Sequence, residues 1–537
     1  MMSHRITQRR RWLPVLAATI ASGALVLSGC TNGATADPSE PSDHTREAES
    51  GGDLTMLMYV PTRSFDPADD NTMASTGDAT RMSAIYDLLL TLDPVTGEVR
   101  PQLAESMTPN DDGSVWTIEL REGVEFSDGT PLDAEAVKFT YEHIAEKGIA
   151  SQARAIESWN MEVTSPLTLQ ISIPNANMHL DRTVADSLPF IVSPSAVKAD
   201  PEGFSRAPVG AGPFELSEYV PDDYEVYTVN ESYWQEGLPK LDSLRLELVP
   251  DAAQRINTIA SGAAHVQAPS ADADAALLEN AVSQGLSYFE VEQNGGGWIY
   301  MNNERPPFDD ERARRAMYLA LDRTELTQVA LGSPEATAIE TLFVADSQYH
   351  EADVRFPDPD PEEAQRLFDE LAADGKPVDI SYINIAGEVN SRAAQFIQAK
   401  LAEFENVSVE IETLDVTAGR ERVFVDRDYD MSPYPGAYKF PDPEPGLYNL
   451  LATDALWNTT GYSNTEVDAA LAAARATSDP EERREQYRVV QERFMEDLPG
   501  LFTFTPTITV IAEPSVTGMT YNARGVVSWP EVGFAAE

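Results

Sequence analysis

The stretch Trp116-Thr117-Ile118-Glu119-Leu120-Arg121-Glu122-Gly123-Val124-Glu125-Phe126-Ser127-Asp128-Gly129-Thr130-Pro131 changes character along its length. From Val115 to Leu120 apolar and polar side chains alternate with period two, which predicts a strand with one buried face. Asp128-Gly129 is a turn dipeptide, because glycine accepts positive φ and aspartate bonds its own backbone. Asp133-Ala134-Glu135 then opens a helix running through Val137, Tyr141 and Ile144. A second alternating run over 167–173 is ended by Pro174.

Outward from this centre, the folded body is expected to start at Asp53-Leu54-Thr55-Met56-Leu57-Met58-Tyr59, read as a strand. After about residue 300 helices dominate. Asp309 or Asp310 caps one through Ala313, Ala316, Met317 and Ala320, and Pro361–Ala373 is another, ended by Gly375. Strand 378–383, a helix around 394–404 and strand 407–413 read as one unit, and Pro480 starts a late helix with Tyr487, Val490 and Phe494 on one face. The β-rich run 501–512 returns the chain to the first lobe. A chain of 537 residues is ample for a core and suggests two or more lobes; it carries no internal repeat.

The N-terminus carries an address. Arg5, Arg9, Arg10 and Arg11 precede an apolar run over 13–27, too short to span a bilayer comfortably, and Leu27-Ser28-Gly29-Cys30 closes it. This is the pattern of a lipoprotein precursor, with residues 1–29 as signal peptide and Cys30 as the lipidated first residue of the mature protein. The alternative is an ordinary buried cysteine behind a signal peptide. Arg9-Arg10-Arg11-Trp12-Leu13 also resembles a twin-arginine signal, so the export route stays open. Cys30 is the single cysteine, which rules out an intramolecular disulfide. The stretch to residue 52 is rich in Ser, Thr, Pro, Gly and acids, and reads as a disordered tether.

Net charge is −51, from 38 Lys+Arg against 89 Asp+Glu. Such a surface repels nucleic acid and anionic headgroups. It either draws a cationic ligand or, since the acids are spread throughout, simply keeps the protein solvated. Catalytic signatures are missing. The six histidines, His4, His44, His143, His179, His265 and His350, form no HExxH or other metal spacing, and there is no G-x-S-x-G elbow or P-loop. The acidic run 353–360 contains Pro357 and Pro359 and lacks the glycine and closing glutamate of an EF-hand. No enzyme and no cofactor is expected.

The box 116–131, preceded by Pro101-Gln102-Leu103-Ala104-Glu105-Ser106, resembles the signature of the family 5 solute-binding proteins, which serve peptide, nickel and opine ABC importers. Phe65-Asp66-Pro67, Tyr86-Asp87-Leu88-Leu89, Pro208-Val209-Gly210-Ala211-Gly212-Pro213-Phe214 with its two glycines read as turns, Asn230-Glu231-Ser232-Tyr233-Trp234, Arg312-Ala313-Arg314-Arg315-Ala316 and Gly461-Tyr462-Ser463-Asn464 continue the resemblance in order. Ser261-Gly262 fits a family box in which His265 replaces the usual acid. The resemblance implies a two-lobed α/β clamp like the periplasmic binding proteins, with an extra subdomain in the first lobe (the cluster C type). Its expected parts are lobe I over 53–293 with an inserted subdomain at about 96–206, lobe II over 294–500, and 501–537 back in lobe I. The lobes would close on a ligand and present it to ABC permease subunits. The mature protein is expected as a monomer held on the extracytoplasmic face of the cell membrane through Cys30.

Peptide-binding members commonly carry, shortly before a D-P pair, an acid that holds the peptide amine. Here that stretch is Tyr434-Pro435-Gly436-Ala437-Tyr438-Lys439-Phe440-Pro441-Asp442-Pro443, and Lys439 stands close to that place. A lysine suits a carboxylate or phosphate on the ligand, or is a snorkelling surface residue. Tyr434 and Tyr438 match an aromatic pair that lines the cleft in the nickel and opine branches. Arg63, Asn71 and Met73 form the other expected wall. Trp298 is expected at the cleft near the hinge, after Gly295-Gly296-Gly297, a run that either absorbs hinge rotation or makes a tight turn. Three readings follow: a lipid-anchored importer receptor for oligopeptides or a similar small solute; a receptor for a non-peptide solute such as a metal chelate, opine-like conjugate or sugar derivative; and a secreted hydrolase on an unrelated fold.

Overall fold

A computed structural model describes residues 46–537 except 70–75, 94–96, 148–150, 271–274, 434–437, 441, 454, 456, 523 and 537. The expected signal peptide, Cys30 and most of the expected tether lie outside the described residues. Ordered structure begins earlier than Asp53: Ala48–Glu49 pairs antiparallel with Gly533–Ala535, and Gly51 N–H donates to the Lys240 carbonyl at 2.7 Å.

The first lobe is built on a seven-stranded mixed sheet. Its order is Ser287–Glu292, Thr507–Ala512, Val266–Gln267, Asp53–Met58, Ser243–Leu248, Tyr224–Val229 and Phe214–Val220. Asp53–Met58 runs parallel to both of its neighbours, so it is the central strand, and Leu54, Met56, Leu57 and Met58 are all buried. Thr507–Ala512 lies beside Ser287–Glu292, which brings the late β-run into this sheet.

Inserted in this lobe is a four-stranded antiparallel sheet, Ala104–Pro109, Val115–Leu120, Thr168–Ser172 and Asn160–Ser165, covered by the helix Ala134–Lys147. The predicted alternation holds: Trp116, Ile118 and Leu120 are buried, and Val137, Tyr141 and Ile144 face them from the helix. Gly129 has φ +78 in its turn with nothing near its missing Cβ. Gly210 and Gly212 do something other than turn. A Cβ on Gly212 would stand 2.5 Å from the Ile85 carbonyl carbon, so the glycines let two backbones meet, and Gly212 N–H donates to Ile85 O at 2.7 Å.

The second lobe surrounds a five-stranded sheet in the order Val407–Leu414, Val378–Ile385, Met431–Pro433, Trp298–Met301 and Gly500–Phe502. Asp310, Asp360 and Asp479 cap the helices Glu311–Ala320, Pro361–Ala373 and Pro480–Asp497 through their side chains. Tyr487, Val490 and Phe494 point into the core, as their spacing predicts. The helix expected around 394–404 is Glu388–Leu401, which starts and ends earlier.

The chain crosses between the sheets twice, and the crossings are bonded to each other. Gly297 N–H donates to Phe504 O at 3.0 Å, Thr503 N–H to Gly297 O at 2.8 Å, and Gln293 N–H to Pro506 O at 2.8 Å. The glycine run is neither loose hinge nor tight turn. Asn294–Gly296 is a short strand paired with Tyr438–Phe440, and a Cβ on Gly295 would stand 2.1 Å from Tyr438 O.

Candidate functional site

Tyr438–Phe440 places two of the expected residues on the strand that flanks the crossing. Tyr438 is half-buried, and its hydroxyl donates to Gly446 O at 2.8 Å, which fixes the ring. Lys439 is half-buried too, and among the described residues its ammonium has no hydrogen-bond or ion-pair partner. Burial first, and the charge of Arg524 second, push this ammonium down to about 8. Arg524 comes from the first lobe, where the buried carboxylate of Asp186 grips its guanidinium through two oxygens. The Lys439 neighbourhood is thus cationic from both lobes, with Asp186 neutralising one of the two charges.

Arg63 lies on the first-lobe loop, with its side chain 47% exposed and its Nε donating to Asp78 at 2.8 Å. Asp78 is buried and also faces Arg81 at 3.7 Å. The same loop is clamped from the inserted subdomain: His143 and Lys147, one helical turn apart, reach Asp66 at 2.9 and 2.7 Å, and Lys147 reaches Asp69 at 2.6 Å. Asn71, Met73 and Tyr434 lie outside the described residues.

Trp298 is not a cleft residue. It is 2% exposed and packs in the second-lobe core against Phe502 at 4.3 Å, Phe494 at 5.9 Å and Tyr300 at 6.1 Å. Gly500 leaves room for its ring, since a Cβ there would stand 2.3 Å from the indole. A large indole enclosed this way contributes packing, worth about 4 kcal/mol against alanine.

Sequence reasoning missed a seam beside this strand. The first-lobe segment from Asn177 through the helix Leu180–Ser187 lies against the start of Pro443–Leu451 and the connection before Pro480–Asp497. Arg182 Nε donates to Asp442 at 2.9 Å, Asn177 Nδ2 to Glu444 at 3.3 Å, Met178 N–H to Arg475 O at 2.7 Å, and His179 Nε2 lies 2.9 Å from Thr477 O. Thr477 O only accepts, so His179 Nε2 carries the proton; burial, then Arg483 and Arg182, hold its pKa down to about 3. Burial alone would raise the Asp442 carboxyl, but the Arg483 and Arg182 guanidiniums outweigh it and hold it at about 2. Glu444 goes the other way, raised by burial despite Arg475 and Arg483. A cavity of about 230 Å³ opens beside the seam, lined by Trp159, Asn177, Thr183 and Ser187 from one lobe and Tyr448 and Arg475 from the other. Ser187 adjoins Asp186, so one helix end serves both the cavity and the Arg524 side of the Lys439 neighbourhood. The Asp-Pro pair that caps Pro443–Leu451 was the one visible signal of this seam.

Among the described residues no group of three or more His, Cys, Asp or Glu is placed to hold a metal, and no helix is long and apolar enough to cross a membrane.

Comparison with known proteins agrees with this architecture. The glutathione-binding protein GsiB of Shigella dysenteriae serotype 1 is 27% identical over 517 residues, covering 90% of this chain and 94% of that protein. GsiB of Escherichia coli strain K12 is 26% identical over the same length. Among solved structures, the dipeptide-binding protein of Pseudoalteromonas sp. SM9913 in complex with Met-Leu superposes with a TM-score of 0.74 at 23% identity, covering 90% of this chain and all of that one. The oligopeptide-binding protein AppA of Bacillus subtilis, in complex with a nonapeptide, gives a TM-score of 0.74 at 20% identity, with 91% and 100% covered. These structures share the two-lobed α/β fold. The family model for bacterial extracellular solute-binding proteins, family 5, matches residues 98–458, well over half of the chain. The chain belongs to the bacterial extracellular solute-binding proteins, family 5.

Proposed function

We propose that this protein is the substrate-binding protein of an ABC importer, which captures a short peptide or similar small solute between its lobes and hands it to permease subunits. The sequence reading puts lobe I over 53–293 and 501–537 and lobe II over 294–500; Gly500–Phe502 is a strand of the second-lobe sheet, so the return to lobe I is taken after Phe502. Lipidation at Cys30 holds a monomer on the extracytoplasmic face of the membrane. The reading has no chemical step: binding energy drives closure, and closure is the signal. It is carried by one observation: relatives named for binding glutathione align over nine-tenths of the chain. Glutathione is a small peptide with two carboxylates, and a cationic Lys439 beside Arg524 suits such charge.

A second reading, a non-peptide anion, is favoured by Lys439 itself, which stands close to the place where peptide-binding members commonly carry an acid. Native mass spectrometry of residues 31–537 purified from the protein's own host tests both. Released short peptides support the first, and a single non-peptide anion supports the second. Calorimetry that finds no binding of glutathione, dipeptides or small carboxylates to an empty protein overturns both. Lys439→Met should weaken binding of a carboxylate solute about tenfold, the loss of one charge-assisted hydrogen bond.

A further inference from the structure

We propose that Arg182 is a latch: with Asn177 it ties the first lobe to the acids that open the helix Pro443–Leu451, and so sets how long the lobes stay together over a solute. The inference rests on the receptor reading above.

Asp442 is 1% exposed and Glu444 0%, while Arg182 is 19% exposed, so the ion pair between the lobes is partly shielded from water and screened less than a surface pair. Within the second lobe, Arg483 already holds Asp442 with two hydrogen bonds, at 2.5 and 3.0 Å, and Arg475 holds Glu444 at 2.9 Å. Folding of that lobe therefore does not need Arg182. What Arg182 adds is a bond between bodies, at 2.9 Å to the remaining lone pair of Asp442. Asn177 does the same for Glu444, and its own carbonyl oxygen accepts from His179 N–H at 2.9 Å, which aims the amide.

Position makes this contact relevant to binding. Lys439 pairs with Gly295 on the crossing strand, and Asp442 follows three residues later. Lys439 and the latch acid thus lie on one short run, tied at Lys439 to Gly295 of the crossing strand and held at the Asp442 cap, where Asp442 accepts from Glu444 N–H at 2.9 Å. A solute that fixes Lys439 also fixes Asp442, and an occupied latch presents Lys439. Such coupling is reciprocal. Arg182 acts through Asp442 and is a positioning residue.

The test uses residues 31–537 carrying a fluorophore pair at Glu105 and Glu410, exposed positions of the first and second lobes. Interlobe distance is measured without solute and with glutathione, and glutathione association and dissociation are followed by stopped flow, for the native sequence, Arg182→Met and Arg182→Lys. We expect Arg182→Met to lengthen the mean distance without solute. We also expect about tenfold faster dissociation at an unchanged association rate, with Arg182→Lys restoring part of both. Asn177→Ala should act in the same direction more weakly. An Arg182→Met protein with the native distance and native dissociation rate overturns the latch. If glutathione does not bind, the receptor reading loses that ligand and distance alone decides: a longer distance supports the latch, and an unchanged one overturns it.

Discussion

In the proposed reading, Lys439 is the residue on which the solute's chemistry turns. Its pKa is depressed, so the folded protein favours the neutral amine more than a free lysine does. The sign for ligand binding follows. Below about pH 8 the ammonium is charged and offers donors to an anion; as pH rises through 8 the empty protein loses that charge. A carboxylate solute should bind about fivefold more weakly at pH 9 than below pH 7, and Lys439→Met should flatten the profile, as calorimetry at the two pH values will show. Equal affinity at both would remove Lys439 from the site. For the empty protein the same shift runs the other way: a buried charge costs stability below pH 8, and the cost is relieved between 8 and the ordinary lysine value of 10.5. Residue type alone did not separate the candidates. Lys439 and Trp298 both sit near the crossing, yet one side chain is unpaired among the described residues and the other is enclosed by Phe494 and Phe502. Sequence distinguishes a tryptophan from a lysine; it does not distinguish a wall from a core.

At the scale of elements, the crossing is governed by close approach. Gly295 combines φ +98 with the Tyr438 carbonyl oxygen 2.1 Å from where a Cβ would sit, and that oxygen is backbone and cannot step aside. Gly295→Ala should therefore cost about 3 kcal/mol in urea unfolding, from left-handed strain plus overpacking. Gly123→Ala, at φ +81 with nothing nearby, should cost about 1 kcal/mol from strain alone. Equal costs would mean that the crossing has slack. The strands and helix starts that were legible in the sequence have local causes: alternation over Val115–Leu120, a proline opening the helices at Pro361 and Pro480. The helix Glu388–Leu401 was misplaced for an equally physical reason. Phe404 extends the apolar pattern past the helix end, but it packs on Phe368 at 5.6 Å from the following turn. Beyond the Asp-Pro pair, the seam left no mark in the sequence, because Arg182 and Asp442 are 260 residues apart and no local pattern reports so distant a pairing.

Charge is the property of the whole molecule. With 89 acids against 38 Lys+Arg, the surface repels itself, and compaction brings those acids closer than they stand in the unfolded chain. Arginines offset part of this on the surface, as where Arg366 bridges Glu363 and Glu370, but exposed pairs of this kind contribute little. The pairs that matter have buried acids, Asp442, Glu444 and Asp186, and are screened less than surface pairs. Added salt should therefore screen the repulsion more than the attraction. The urea midpoint of residues 31–537 should rise as NaCl goes from about 0.05 to 1 M, over which the screening length falls from above 10 Å to about 3 Å. A falling midpoint would mean that exposed ion pairs outweigh self-repulsion. The same titration separates the two readings of the acidic surface. If it draws in a cationic peptide, that peptide's association rate will drop steeply with salt. If it only keeps the protein solvated, association of a cationic and an anionic peptide of equal length will respond alike, and the binding preference will belong to Lys439 and Arg524 instead.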